Sequence, residues 1–160
     1  RDCVLRVLGP PDRNGSADET TADEGTAGVF EGVVLLVEDN AVNLAVAEGM
    51  LRQLGCRVEL ATNGHEALAA HSRTRYDVVL MDCMMPGMDG YEATEALRRR
   101  ETAGAPRTPV VALTANAMTG DREQCIAAGM DDYLSKPFRQ EELRRVLSRW
   151  LPRACAAQVL

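Results

Sequence analysis

The chain has 160 residues, with 18 Lys and Arg against 24 Asp and Glu and a formal net charge of −6. That length favours one domain with tails over two full domains, and 46% hydrophobic content is enough for a core. The negative charge argues against nucleic acid or an anionic membrane as the main partner, and no apolar run approaches the ~20 residues of a membrane helix.

Cysteine usage points the same way. Cys3, Cys56, Cys83, Cys125 and Cys155 are odd in number, isolated, and form no CxxC or Cys/His cluster. They read as reduced thiols of a cytosolic protein. His65 and His71 lack companion ligands and read as surface or helix-face residues.

Residues 1–28 come first. Val4 to Leu8 is short, apolar and strand-like, and the residues after it are rich in Gly, Ser, Thr, Ala, Asp and Glu. Such a segment buries almost nothing and reads as a flexible linker. Whether Val4–Leu8 ends a preceding domain or is an unstructured start stays open. The regular domain is expected over 29–152, with 153–160 as a tail.

From Val29 the pattern is regular. Val33 to Val37 is a fully apolar strand that ends in Glu38 and Asp39. A helix over Val42 to Leu54 carries Leu44, Ala47, Leu51 and Leu54 on one face, with Gly55 placed to end it. Cys56 to Leu60 alternates like an edge strand, and Asn63-Gly64 turns the chain into a helix over His65 to Arg73. Tyr76 to Asp82 contains four consecutive apolar residues before its terminal carboxylate, as a central parallel strand should. Helix Gly90–Arg100, strand Val110–Thr114, helix Met118–Ala128, strand Asp132–Ser135 and helix Gln140–Leu151 complete the series. Five strands alternating with five helices imply βαβ units, so the fold class is α/β. The arrangement is a doubly wound parallel sheet of order 2-1-3-4-5, a flavodoxin-like three-layer sandwich.

Chemistry gathers at the strand ends. Strand one stops at Glu38-Asp39, strand three at Asp82, strand four at Thr114-Ala115 and strand five at Lys136. Neighbouring strands lie ~4.8 Å apart, so the three acids are expected within a few ångströms of one another. Like charges at ~4 Å repel by roughly 4 kcal/mol at an effective dielectric of 20, so such a cluster takes up protons or binds a cation. Hard oxygen ligands suit Mg²⁺, and Lys136 would add a positive charge on the opposite side. A nucleophilic carboxylate among these groups fits phosphoryl transfer to Asp82. Taken singly, each residue has an ordinary explanation: Asp89 as a helix cap, Thr114 as a strand terminus, Lys136 as an exposed lysine. It is their joint placement at one rim that carries the reading.

The motifs LLVEDNAVN, VVLMDCMMPGMDGYEA, PVVALTANA and AGMDDYLSKPF resemble the receiver (response-regulator) domain of two-component phosphorelays. The resemblance covers roughly residues 32–151 and is strongest to the C-terminal receivers of hybrid sensor histidine kinases. It implies that Asp82 accepts a phosphoryl group from the phosphohistidine of a kinase or phosphotransfer domain. It implies Mg²⁺, with Mn²⁺ as a substitute, held by Glu38, Asp39, Asp82 and the Met84 backbone carbonyl. Lys136 would pair with the phosphoryl oxygens, ahead of a cis bond to Pro137. Thr114 would hydrogen-bond the phosphoryl group, small Ala115 would leave access, and Tyr133 would report the switch by its rotamer. Met84 and Asn116 occupy positions expected to tune phosphoryl lifetime. Ala41, Val42 and Val46 would form an apolar docking patch, with core packing of Val46 the alternative.

The implied setting is cytoplasmic, with the parent protein a histidine kinase at the inner face of a membrane and no direct membrane contact by this chain. The chain itself has no ATP-binding kinase core, so its only catalysis would be its own phosphorylation and dephosphorylation. A stand-alone response regulator is the nearest alternative. An aspartate-nucleophile phosphatase of another family would want a second aspartate where Met84 stands, and an FMN binder would not place Glu38-Asp39 against a phosphate.

Overall fold

The computed structural model describes residues 30–101, 106–115 and 119–152. The leader, Gly104, Asn116, Met118 and the tail from 153 lie outside the described residues. The elements in order are β1 (Val33–Val37), α1 (Ala41–Gln53), β2 (Arg57–Ala61), α2 (Gly64–Arg73) and β3 (Val78–Asp82). They continue with α3 (Gly90–Arg100), β4 (Val110–Thr114), α4 (Thr119–Ala128), β5 (Asp132–Ser135) and α5 (Gln140–Trp150). The strands form one parallel sheet of order β2-β1-β3-β4-β5, as the alternation predicts.

Strand side chains point alternately to the two faces, and the core divides accordingly. Leu35, Val37, Val79, Met81, Val110 and Ala112 pack beneath α2, α3 and α4. Val34, Leu36, Val78, Leu80, Val111 and Leu113 pack beneath α1 and α5. Every residue of β3 and β4 is buried, which explains the uninterrupted apolar runs. On the edge, β2 buries only Ala61 fully. The third strand begins with its apolar run at Val78, two residues later than the expected start at Tyr76: Tyr76 is buried but lies before the ladder, and Asp77 accepts the Val33 N–H at 2.8 Å.

Helix ends follow their local chemistry. Asn40 caps α1 by accepting the Val42 and Asn43 N–H groups, and Asp89 forms a reciprocal capping box with Glu92 at α3. Thus Asp89 is a cap. Gly55 and Gly129 both have positive φ, at 91° and 97°. Each closes a paired hydrogen-bond motif: Gly55 N to Arg52 O with Cys56 N to Leu51 O, and Gly129 N to Ile126 O with Met130 N to Cys125 O. A side chain at those φ values would be strained. The two ends of the fold meet where Phe30 N donates to Leu54 O and Glu31 N to Pro152 O. No described helix is long and apolar enough to cross a membrane.

Candidate functional site

The parallel order places the C-terminal ends of β1, β3, β4 and β5 on one rim. Glu38 and Asp82, each 2% exposed, face exposed Asp39 across it. Carboxylate oxygens of the three lie within 4.8 Å of one another. Lys136 Nζ stands 3.0 Å from Asp82 Oδ1 and 3.1 Å from Glu38 Oε2. Here the structure refines the reading: Lys136 is not across from the acids but between two of them. Its long stem lets the ammonium reach past Asp82 to the β1 carboxylate. The Lys136–Pro137 peptide is cis, as the resemblance implies.

The backbone holds these groups rigidly. Glu38 N donates to Ala61 O, and Lys136 N donates to Thr114 O at 2.6 Å. Cys83 N donates to Leu113 O, which fixes the chain directly after Asp82. Gly90 packs against the same spot. A Cβ on Gly90 would overlap the Asp82 carbonyl oxygen, so only glycine lets α3 start there. In the sequence Gly90 looks like loop punctuation, with no sign of this contact.

Electrostatics set the chemistry. Burial, reinforced by the Glu38 charge, pushes the Asp82 carboxyl well above the ordinary carboxylate range, against the Lys136 ammonium and the Met84 N–H. Burial alone would lower the Lys136 value, but the Asp82 and Glu38 carboxylates outweigh it and the net shift is upward. The site is short of positive charge: one ammonium serves three acids. Three clustered carboxylates form a hard oxygen donor set that fits a small divalent cation. Thiols do not compete as nucleophiles. Cys83, next to Asp82, is buried and pushed up to about 12, chiefly by burial, and Cys56, Cys83 and Cys125 are all unpaired.

The remaining expected residues divide. Thr114 is buried at the tip of β4, pairing in register with Ser135, and exposed Ala115 follows it. Met84 is 72% exposed on the rim, and its N–H donates to Asp82 Oδ1 at 3.2 Å. Tyr133 is partly buried against the α2–α4 core, and the Arg122 guanidinium lies 5.8 Å from its ring centroid. Asn116 lies outside the described residues.

Beside the acids runs a cleft of about 440 Å³, lined by Asn43, Val46 and Ala47 of α1 and by Ala115, Lys136 and Phe138 among others. Val42 and Val46 are 70% and 53% exposed, so Val46 is not the core residue its helix position allowed. Phe138 was missed in the sequence. Its only signal was an aromatic residue two places after Lys136.

The family described as response regulator receiver domain matches residues 34–148. Among curated relatives, the sensor histidine kinase GacS of Pseudomonas protegens is 43% identical over 119 residues, covering 73% of this chain and 13% of its own length. The chain thus spans a small fraction of the curated relatives it matches. Among solved structures, the receiver domain of sensor histidine kinase PA1611 from Pseudomonas aeruginosa is 53% identical with a TM-score of 0.68. That match covers 78% of this chain and 98% of that one, and the structure has a magnesium ion coordinated in the active-site cleft. The receiver domain of Saccharomyces cerevisiae Ssk1, solved with the histidine phosphotransfer protein Ypd1, is 30% identical with a TM-score of 0.69, covering 76% of this chain and 90% of that one.

Proposed function

The chain belongs to the response regulator receiver domain family, and from that premise we propose that it takes a phosphoryl group from phosphohistidine onto Asp82, as the C-terminal receiver of a hybrid sensor histidine kinase. The observation that carries this reading is Lys136 held 3.0 Å from a buried Asp82 that has two further acids beside it. Residues 29–152 would form the receiver unit, a reading supported by the described elements between Val33 and Trp150.

Asp82 Oδ1 already accepts from Lys136 and Met84, so Oδ2 is the attacking oxygen. Its lone pair forms the new O–P bond as the N–P bond breaks, and the departing imidazole nitrogen keeps that electron pair. Glu38, Asp39, Asp82 and the Met84 carbonyl would hold Mg²⁺, which when bound supplies positive charge to the phosphoryl oxygens and keeps the acids ionised. Lys136 stabilises charge on the transferred group, and Thr114 donates its hydroxyl to it. Movement of Thr114 toward the phosphoryl group vacates space for Tyr133, which couples chemistry to the α4–β5 surface. Exposed Val42 and Val46, with Ala41 beside them, offer an apolar patch for the helix bundle that carries the donor histidine. The three described cysteines, Cys56, Cys83 and Cys125, are buried and unpaired, which supports a cytoplasmic setting.

Incubation with Mg²⁺ and acetyl phosphate, followed by peptide mass spectrometry, tests the reading. A phosphoryl group on the peptide holding Asp82 is expected. Label elsewhere, or none at all, would refute it.

A further inference from the structure

The opposite rim, at the N-terminal ends of the strands, carries a second cleft of about 340 Å³ whose walls include His71, Arg73, Thr74, Arg75, Arg100 and Glu101. Three arginines converging in a chain of net charge −6 reverse the local sign. The nearby acids are mostly engaged. Glu101 Oε1 accepts from Arg98 at 2.8 Å and from the Thr108 N–H at 2.9 Å. Asp77 accepts the Val33 N–H, and Glu59 is 3.9 Å from Arg73. Arg100 donates to the Leu68 carbonyl at 3.3 Å. Basic residues at helix C-termini ordinarily answer the macrodipole, which accounts for Arg73 and Arg100. It does not account for Arg75, which lies past α2 on the way into β3.

We propose that this cleft docks the acidic stretch of the same chain at residues 17–24. That stretch holds Asp18, Glu19, Asp23 and Glu24 and no basic residue. Charge complementarity selects this occupant, and chain connectivity allows it. Phe30 and Glu31 are tied to Leu54 and Pro152, and Val33 to Asp77, two residues after Arg75, so the leader meets the fold on the same N-terminal rim as the cleft. The six residues from Glu24 to the anchored Phe30 reach up to roughly 20 Å when extended. A short tether gives an effective concentration on the order of millimolar, so an intrinsic affinity of that order is sufficient. Docked there, the leader is held at the pole away from Asp82, and the acidic rim stays open.

The test uses the full 160-residue chain, a variant with Asp18→Asn, Glu19→Gln, Asp23→Asn and Glu24→Gln, and a second variant with Arg73→Gln and Arg75→Gln. In amide NMR spectra, neutralising the leader should shift the signals of residues 71–75 and 100–101, and the arginine variant should shift those of 17–24. Both sets should move the same way on raising salt from about 20 to about 500 mM, because exposed ion pairs are screened. Inorganic tripolyphosphate should bind the leader variant several-fold more tightly than the parent, since the leader competes for the cleft. Equal tripolyphosphate affinities would mean that the cleft takes anions only from outside and would overturn the proposal. So would cleft signals that do not respond to the leader, or shifts that fade on dilution and so report a second copy.

Discussion

The two rims of one sheet treat charge in opposite ways. At the C-terminal rim, Glu38, Asp39 and Asp82 crowd together around a single ammonium, and two of the three acids are almost fully buried. At the corner of the N-terminal rim where α3 and α4 meet β4, apart from the arginine cleft, charges of opposite sign alternate and saturate one another. Arg98 donates to Gly129 O, Thr108 O, Glu101 and Asp131, while Arg107 donates to Gly129 O and Asp131. Asp131 also accepts the Val110 N–H, which ties α3, α4 and β4 together. The first arrangement holds charge in want of a partner. The second leaves little unsatisfied, so it holds the fold together.

Substitutions at the two rims should therefore have opposite effects on stability. Asp82→Asn should abolish phosphoryl acceptance from acetyl phosphate while stabilising the metal-free fold by about 1–2 kcal/mol, because a carboxylate penalised chiefly by burial and further by the Glu38 charge disappears. Mass spectrometry and a urea midpoint measured on one sample check both halves; a lowered midpoint would erase the contrast. Arg98→Ala should cost about 3 kcal/mol, since it removes four hydrogen bonds to part-buried groups, leaves the Thr108 carbonyl without this donor and weakens the hold on Glu101 and Asp131. Urea denaturation reads that directly, and a loss below about 1 kcal/mol would make the network decorative.

Smaller effects sharpen the picture at the acidic rim. Thr114→Ala should still be phosphorylated but lose most of the conformational response. Equal chemical-shift changes in wild type and variant on adding a phosphoryl mimic would defeat this. Met84→Asn should speed loss of the phosphoryl group several-fold, because an amide can orient attacking water and a thioether cannot. The decay of phospho-Asp82 measures it.

The smallest predicted effect is on pH dependence. Asp82 is raised in the fold, so as pH falls through its raised value toward 3.8 the native state binds the proton first and stability rises. His71, near the other rim, is lowered below 6.5, chiefly by burial, so below 6.5 the unfolded chain binds the proton first and stability falls. Urea midpoints between pH 7 and pH 4 should therefore slope less steeply upward on acidification for Asp82→Asn than for wild type. His71→Gln should change the slope the other way, by less than about 1 kcal/mol overall.

Legibility in the sequence divides along the same line. The acidic rim could be read because each of its groups ends a buried strand, and strand order then brings them together. Helix ends at Gly55, Gly129 and Asp89 were equally plain, since one residue type decides each. The arginine network was invisible. Arg98, Arg99 and Arg100 look like any solvated last turn, and nothing local says that Arg98 reaches Asp131, 33 positions along the chain. Likewise the reach of Lys136 to Glu38 spans 98 positions and depends on side-chain length rather than pattern.

Gly90 offers a final consequence. A methyl group there would meet the Asp82 carbonyl oxygen, so it would lift an entire helix rather than block any ligand. Saturation mutagenesis would then score position 90 as though it were part of the reaction centre, although it contributes no reacting atom. Intolerance at that position measures how little clearance the architecture allows, which is a different kind of indispensability from that of Asp82.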